Sequence, residues 1–392
     1  MRILVISTMG DCAWGGSEEL WSAAALEAAA NRHDVVACIG RWPDPRPEVS
    51  RIRAGGVRVV ELQPGGPRRR RWKQRLVIRH PRQARRWGRW LSCFRGALEP
   101  RPDVACFSLG DTHAMVRCYE YQFLAEMLDE WEIPYFVICH LNPPGAVSDR
   151  WRSTTRDLFR RADRVGFVSI RQMQEVAAEL ETELPNALVL RNPVNMTAGD
   201  PVPWPETDRI RMASVARLDV AHKGQDRLLR ALADMDQDGP AWQLELYGTG
   251  PDEAAIRRQI RDQQMEQRVL LRGHVRDIRA VWAHNQMLVM PSLMEGTPLS
   301  MVEAMLCGRP CLVTDVGGVT EWIRDGKDGF VAPSPDPQHL EATLRRAWSR
   351  FSDWNRMGEA ACERALALAD PDPGRTLVQM LTQSAERHPN VD

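Results

Sequence analysis

The chain has 392 residues, 43% of them hydrophobic and 27% charged, with Lys+Arg and Asp+Glu each numbering 52. That length exceeds one ordinary core and points to about two or three domains, while the charge balance removes any whole-molecule field that would draw nucleic acid or membrane. No apolar run approaches the roughly 20 residues of a membrane span, and the apolar part of Met1–Ser7 is too short for a signal peptide.

Met1–Ser7 reads instead as a first strand, Arg2–Ser7, continuous in its apolar character as a buried parallel strand should be. Thr8–Gly16 is a loop ending in Gly15-Gly16, and Ser17-Glu18-Glu19-Leu20 opens an Ala-rich helix to about Ala30. Glycines between a strand and a helix let backbone amides approach an anion. On its own the pair does not distinguish a phosphate loop from a tight turn, because GxGxxG is absent. Val35–Ile39 and Val57–Glu61 follow as strands around a Pro-rich loop, Trp42–Pro47. From Leu62 to Leu98 there are twelve Lys/Arg, no acidic residue, and Trp72, Trp87 and Trp90. The segment reads either as a solvated helix face or, over 68–95, as a peripheral contact with anionic lipid. Nucleic acid is disfavoured, since no recognised binding fold accompanies the patch.

Asp103–Leu109 is the next strand, Asp111–Asp129 a helix, and Tyr135–Cys139 a strand ending at His140-Leu141-Asn142-Pro143-Pro144. His140 therefore sits where open α/β sheets place their ligands, as a candidate proton handler or hydrogen-bond donor. His113, at a helix start, carries less. Val165–Val168 (strand), Ile170–Leu180 (helix) and Ala187–Leu190 (strand) lead to the Pro-rich polar stretch Gly199–Asp208, read as a linker. Nine cysteines without a Cys-x-x-Cys spacing read as buried reduced thiols of a cytosolic protein, and Cys307 with Cys311 lacks the second pair that a metal site needs.

A second alternation begins at Ile210–Ala216. Arg217 and Lys223 bracket the following loop, with Gly224 ahead of a helix from Gln225 to Met235. Two cations and a glycine at a helix start suit a diphosphate. Leu244–Tyr247, Val269–Arg272 with Gly273-His274-Val275 after it, a helix Asp277–His284, and the strand Met287–Met290 continue the train. The run Ser292–Glu303 then joins that strand to a helix expected to open at Thr297-Pro298, with Thr297 as N-cap, Pro298 at the first helical position, and carboxylates at Glu295 and Glu303 on either side. Such a loop is suited to a phosphorylated, hydroxyl-rich ligand. Cys311–Thr314 and Gly329–Ala332 are the last strands, before C-terminal helices from Gln338 onward. The acidic residues Asp234, Asp236 and Asp238 lie at a helix end before Gly239-Pro240 and read as a solvated turn, not a metal site. The two β-α trains imply an α/β protein of two Rossmann-like domains facing each other across a cleft. Their bounds are 1–198 and 209–370, with a linker at 199–208 and a C-terminal helix in 371–392 packing back toward the first domain.

The segments ARLDVAHKGQDRLLRAL, LYGTGP, LLRGHV, PSLMEGTPLSMVEAMLCGRP and TDVGGVTEWIRDGKDGFV, with WGGSEEL and FVICHLN, resemble the retaining family 4 glycosyltransferases of the two-Rossmann GT-B fold over nearly the whole chain. The resemblance implies that Arg217 and Lys223 grip a donor diphosphate. It places Glu295 on the donor sugar's hydroxyls, with Gly296, Thr297, Pro298 and Leu299 lying against phosphate and sugar. Glu303 would accept from the ribose hydroxyls, and Gly273, His274 and Val275 would line the base pocket. Gly15 and Gly16 would approach the diphosphate, and His140 the donor sugar. His140, Glu295, Arg217 and Lys223 are the expected catalytic set. The expected donor is a nucleoside diphosphate sugar and the acceptor a glycan, lipid-linked or small molecule, with no cofactor and no metal. A nucleotide-sugar epimerase on the same fold is the alternative. A dinucleotide dehydrogenase is disfavoured by the missing GxGxxG and acidic partner.

Overall fold

The computed structural model describes the chain apart from residues 11–13, 44–45, 63–93, 144, 146, 195, 197–201, 208, 234, 236–239 and 389–392. The basic segment read as a lipid contact and the acidic residues Asp234, Asp236 and Asp238 thus fall outside the described residues. The described chain forms two compact units, Met1–Pro193 with Asp372–Asp392, and Val194–Pro371.

The first unit carries a seven-stranded sheet built from β1 (Arg2–Ser7), β2 (Asp34–Gly40), β3 (Arg58–Leu62), β4 (Val104–Leu109), β5 (Tyr135–Cys139), β6 (Arg164–Phe167) and β7 (Ala187–Val189), in the order β3-β2-β1-β4-β5-β6-β7. The second carries six strands, β8 (Ile210–Val215), β9 (Trp242–Tyr247), β10 (Val269–Gly273), β11 (Met287–Met290), β12 (Cys311–Thr314) and β13 (Gly329–Ala332), in the order β10-β9-β8-β11-β12-β13. Every recorded pairing is parallel. The sequence runs such as Val104–Leu109 and Met287–Met290 are buried along their whole length, which is what helices on both faces of a parallel sheet require. Each sheet therefore has an apolar cluster on either face: around Phe107, Tyr135 and Phe159 and around Trp21, Val35 and Phe136 in the first unit, and around Leu228, Leu244 and Trp354 and around Trp282, Met301 and Trp322 in the second.

The helix expected over Asp111–Asp129 is two helices, Ala114–Arg117 and Tyr119–Glu130, parted at Cys118, whose backbone is extended. Three further helices, with no counterpart among the expected elements, are Pro47–Ala54, Asp149–Arg161 and Glu253–Asp262. The chain passes into the second unit after Pro193. Of the stretch read as a linker, residues 202–207 are described, and part of it is bound to the second unit. Val202 is buried there, and the fully buried Arg309 donates to the carbonyls of Val202 and Pro203 and stacks its guanidinium on Trp204. After Pro371 the chain returns to the first unit, where the helix Pro373–Arg387 packs Leu377, Val378 and Leu381 against the helix Gly16–Ala30. The contact is close, since a Cβ on Gly374 would stand 3.0 Å from the carbonyl carbon of Ala23. Seven cysteines, Cys38, Cys106, Cys118, Cys139, Cys307, Cys311 and Cys362, are free thiols, and all but Cys118 are buried.

Candidate functional site

In an open parallel sheet, the loops on either side of the point where strand order reverses diverge and leave a crevice at the carboxyl ends of the strands. In the second unit that point lies between β8 and β11, and the loops that leave it carry Arg217–Gly224 and Pro291–Pro298. Their backbones interlock: Leu293 N–H donates to the His222 carbonyl at 2.8 Å. Gly224 has φ +65° and a Cβ there would stand 2.2 Å from the Pro291 oxygen, so no larger residue fits. Loop 291–298 is gripped from its other side by the turn after β12. Thr314 Oγ1 donates to the Ser292 carbonyl at 2.5 Å, and Gly318 N–H to the Gly296 carbonyl at 2.7 Å. Gly317, at φ +54°, passes so near that a Cβ would lie 2.0 Å from the Glu295 oxygen.

These constraints deliver two charged groups to one place. Lys223 Nζ donates to Glu295 Oε1 at 2.6 Å, and Ser292 Oγ donates to the same oxygen at 2.7 Å. Beside them Arg217 pairs with Asp219, whose Oδ2 also lies 3.0 Å from His222 Nδ1. Burial would raise the Asp219 carboxyl, but Arg217 and His222 outweigh it and hold the group below its usual range. Asp219 and Ser292 are residues that the sequence reading missed. A single Asp or Ser in a loop has no periodic signal, although Asp219 stands between two cations already singled out.

The helix after Glu295 runs Leu299–Leu306, one residue later than expected. Thr297 is not its cap: Pro298, extended at φ −69° and ψ 121°, occupies that position without a side-chain bond to the helix. The first helical amides, from Leu299 on, still point back toward Glu295 and Gly296. Glu303 is buried in the second turn of this helix. Gly273 ends β10 at φ +71° and is tied to the Gly248 amide at 2.8 Å, while His274 beyond it is exposed and Val275 half-buried.

The first unit reverses its strand order between β1 and β4. Gly15 is the extended residue before the helix Gly16–Ala30. Glu18, in its first turn, accepts from Ser7 Oγ and Trp21 Nε1, both at 2.9 Å. His140 follows β5, is buried, and faces Ser108 Oγ through Nε2 at 3.2 Å. Ser108 Oγ also donates to the Ser17 carbonyl at 3.2 Å. A hydroxyl has one proton, so both contacts are hydrogen bonds only if His140 Nε2 carries the hydrogen and Ser108 accepts it. Nδ1, buried and without a partner, is then the bare nitrogen. Burial pushes the imidazole pKa down to about 4, so the ring is neutral at neutral pH. His140 is thus a neutral ring whose Nε2–H is given to Ser108 and whose Nδ1 has no partner among the described residues. Gly15, Gly16 and His140 belong to the first unit; Arg217, Lys223, Gly273, His274, Val275, Glu295, Gly296, Thr297, Pro298, Leu299 and Glu303 belong to the second. Among the described residues, no group of three or more His, Cys, Asp or Glu could hold a metal ion, and no helix is long and apolar enough to cross a membrane.

Residues 209–350 match the family described as Glycosyl transferases group 1. The matched residues include Arg217, Lys223, Glu295 and Glu303. The amylovoran biosynthesis glycosyltransferase AmsK of Erwinia amylovora is 32% identical over 145 residues, which are 35% of each chain. The putative colanic acid biosynthesis glycosyltransferase WcaL of Salmonella typhimurium is 31% identical over 143 residues, 34% of this chain and 35% of that protein. The chain thus spans about a third of the length of these curated relatives. Beyond residues 209–350, the likeness extends over both units in the solved structure of HepE from Anabaena in complex with UDP. That structure superposes with a TM-score of 0.70 at 18% identity, covering 99% of this chain and 100% of the other. The chain has the two-Rossmann GT-B fold.

Proposed function

We propose that this chain is a retaining glycosyltransferase that moves a sugar from a nucleoside diphosphate sugar to a hydroxyl of a glycan, a lipid-linked or a small-molecule acceptor. The observation that carries it is the Lys223–Glu295 pair at the β8/β11 crevice, ahead of the first free amides of the helix Leu299–Leu306, with Arg217 at the start of the loop that carries Lys223. When the bond from the anomeric carbon to the diphosphate breaks, charge collects on the leaving oxygen. Fixed cations and aligned amides stabilise that charge more than they stabilise the ground state. In this reading Arg217 and Lys223 take the diphosphate, and the amides of Gly296, Thr297 and Leu299, on either side of Pro298, lie against phosphate and sugar. Glu295 takes the sugar hydroxyls, Glu303 the ribose, and Gly273 to Val275 the base. Gly15, Gly16 and His140 are the first unit's contribution. The solved neighbour HepE was crystallised with UDP and with UDP-glucose, which supports a nucleotide sugar as donor. AmsK and WcaL are described as glycosyltransferases of amylovoran and colanic acid biosynthesis, which supports a glycan acceptor.

The test is a thermal-shift screen against nucleoside diphosphates and nucleotide sugars, because a ligand of the native state raises the midpoint. One base is expected to raise it, and the rise is lost in Arg217→Ala. Turnover of the matching nucleotide sugar is expected to fall on the order of 10²-fold in Arg217→Ala and Glu295→Ala. Undiminished turnover in both variants would sink the assignment. Conversion of the nucleotide sugar without an acceptor would instead identify an epimerase.

A further inference from the structure

His113, which the sequence gives little reason to favour, closes a buried chain of hydrogen bonds that ends on the turn carrying His140. Its Nε2 lies 2.7 Å from Glu179 Oε1, and its Nδ1 lies 2.9 Å from Thr155 Oγ1. Both His113 and Thr155 are buried. The other oxygen of Glu179, the last residue of the helix Ile170–Glu179, accepts from Asn142 Nδ2 at 3.2 Å. Asn142 stands two residues after His140 in the turn that leaves β5. The same turn is held on its other side by residue 112, next to His113: Thr112 N–H and Oγ1 both donate to the Leu141 carbonyl, at 3.0 and 3.2 Å. Asp111 completes this side by accepting from the His113 amide at 2.9 Å.

The chemistry of each partner fixes the direction of the chain. An ionised carboxylate only accepts, so His113 presents an N–H at Nε2 and Asn142 presents its NH2. Asn142 is thereby oriented, since its amide nitrogen has to face Glu179 while its oxygen faces away. Nδ1 of the same ring faces the Thr155 hydroxyl, which can donate to it or accept from it. Each bond removes a rotational choice from the next residue, and the last residue so fixed lies in the turn of His140.

We propose that His113 and Glu179 are positioning residues: through Asn142 they set the turn that presents His140 to the substrate. This rests on the proposed transferase reading for its effect on turnover, but not for its effect on the turn itself.

The chain makes an unusual prediction for the isosteric change. In Glu179→Gln the amide oxygen can still accept from Asn142, and the amide nitrogen can donate to His113 Nε2 if the imidazole moves its hydrogen to Nδ1, which then donates to Thr155. The network survives by a change of tautomer. Glu179→Ala removes it altogether.

The experiment compares wild type, Glu179→Gln, Glu179→Ala and Asn142→Ala by hydrogen exchange, by nitrogen NMR of ¹⁵N-histidine-labelled protein, and by nucleotide-sugar turnover. In Glu179→Ala and Asn142→Ala the Thr112 amide is expected to exchange about tenfold faster or more, because local opening of the turn governs its protection. Turnover is expected to fall roughly 10²-fold, as for a reacting group displaced by about an ångström, with the donor KM within about twofold of wild type. Glu179→Gln is expected to keep wild-type exchange and most of the turnover while the His113 signals switch from the Nε2–H to the Nδ1–H tautomer. Wild-type protection of Thr112 in both alanine variants would overturn the proposal. So would equal impairment of Glu179→Gln and Glu179→Ala, or a loosened turn with unchanged turnover. Asn142→Ala leaves the His113–Glu179 bond in place, so it decides the matter if Glu179→Ala does not fold. Should wild type turn over no nucleotide sugar, the transferase reading fails, and exchange and tautomer still decide whether the chain holds the turn.

Discussion

Glu18 and His140 lie beside the same gap between β1 and β4, and burial pushes their titrations in opposite directions. The Glu18 carboxyl is raised from 4.5 to about 7, chiefly by loss of solvent. Between those values the folded chain keeps a proton that the unfolded chain releases. Its contribution to folding is therefore full below about pH 4.5 and is lost as pH rises through 7, about 3 kcal/mol in all at 1.36 kcal/mol per unit. His140 is lowered from 6.5 to about 4 by burial. Its contribution is full above about pH 6.5 and is lost as pH falls through 4, again about 3 kcal/mol. The two slopes overlap between about pH 4.5 and 6.5 and offset each other, so urea unfolding of wild type is expected to vary little there, while Glu18→Gln is expected to gain stability with rising pH and His140→Asn to lose it. A Glu18→Gln profile that tracks wild type between pH 4.5 and 7 would refute the assignment. At this scale the sequence was partly legible. Arg217, Lys223 and Glu295 stood out because charged residues beside glycines at a strand end are chemically conspicuous. Ser108, Asp219, Ser292 and Glu179 did not, because what they do depends on partners that only folding brings near: Ser108 meets Ser17 across 91 positions of sequence.

Among elements, the site is held by glycines whose costs differ for a physical reason. Gly224 and Gly317 combine positive φ with a carbonyl oxygen 2.2 and 2.0 Å from the missing Cβ. Gly224→Ala and Gly317→Ala therefore must move loop 291–298 and are expected to abolish the midpoint shift caused by the nucleoside diphosphate and to lower the melting temperature. Gly273, at φ +71°, has nothing within 4 Å of its missing Cβ. Gly273→Ala is expected to cost only the left-handed backbone, about 1–2 kcal/mol, and to retain the shift. Equal loss in all three would show that backbone strain alone matters. Strands were read within one or two residues because a strand covered on both faces is an unbroken apolar run with turn residues at its ends. The helix Asp149–Arg161 was not read, since only Thr155, Leu158 and Phe159 of its thirteen residues are buried and its charged faces hide the period. Its Ser148 cap, which accepts from the Trp151 amide, was the available signal.

At the scale of the whole molecule, the β-α alternation and the spaced motifs announced two Rossmann-like units, and the structure has them. The point of division was less legible, because the Pro-rich stretch that looks like a free linker is partly fastened to the second unit by Arg309. Which base and acceptor the proposed transferase takes would depend on pocket shape, which no motif encodes. Because the last helix, Pro373–Arg387, is part of the first unit, a chain ending at Pro371 bares Leu377's partners Trp21, Ala24 and Ala25. Such a truncation is expected to be degraded by limited proteolysis within residues 1–193, while residues 194–371 stay resistant. A resistant first unit would show that the helix is dispensable. This threading also sets an order of birth. On the ribosome the second unit is a continuous piece of chain and can fold as soon as it emerges. The first unit starts earlier but waits for its closing helix until the second has been made. Of the two units, the one whose synthesis starts earlier is the one that matures later, and in that interval it depends on whatever protects an open apolar face in the cell.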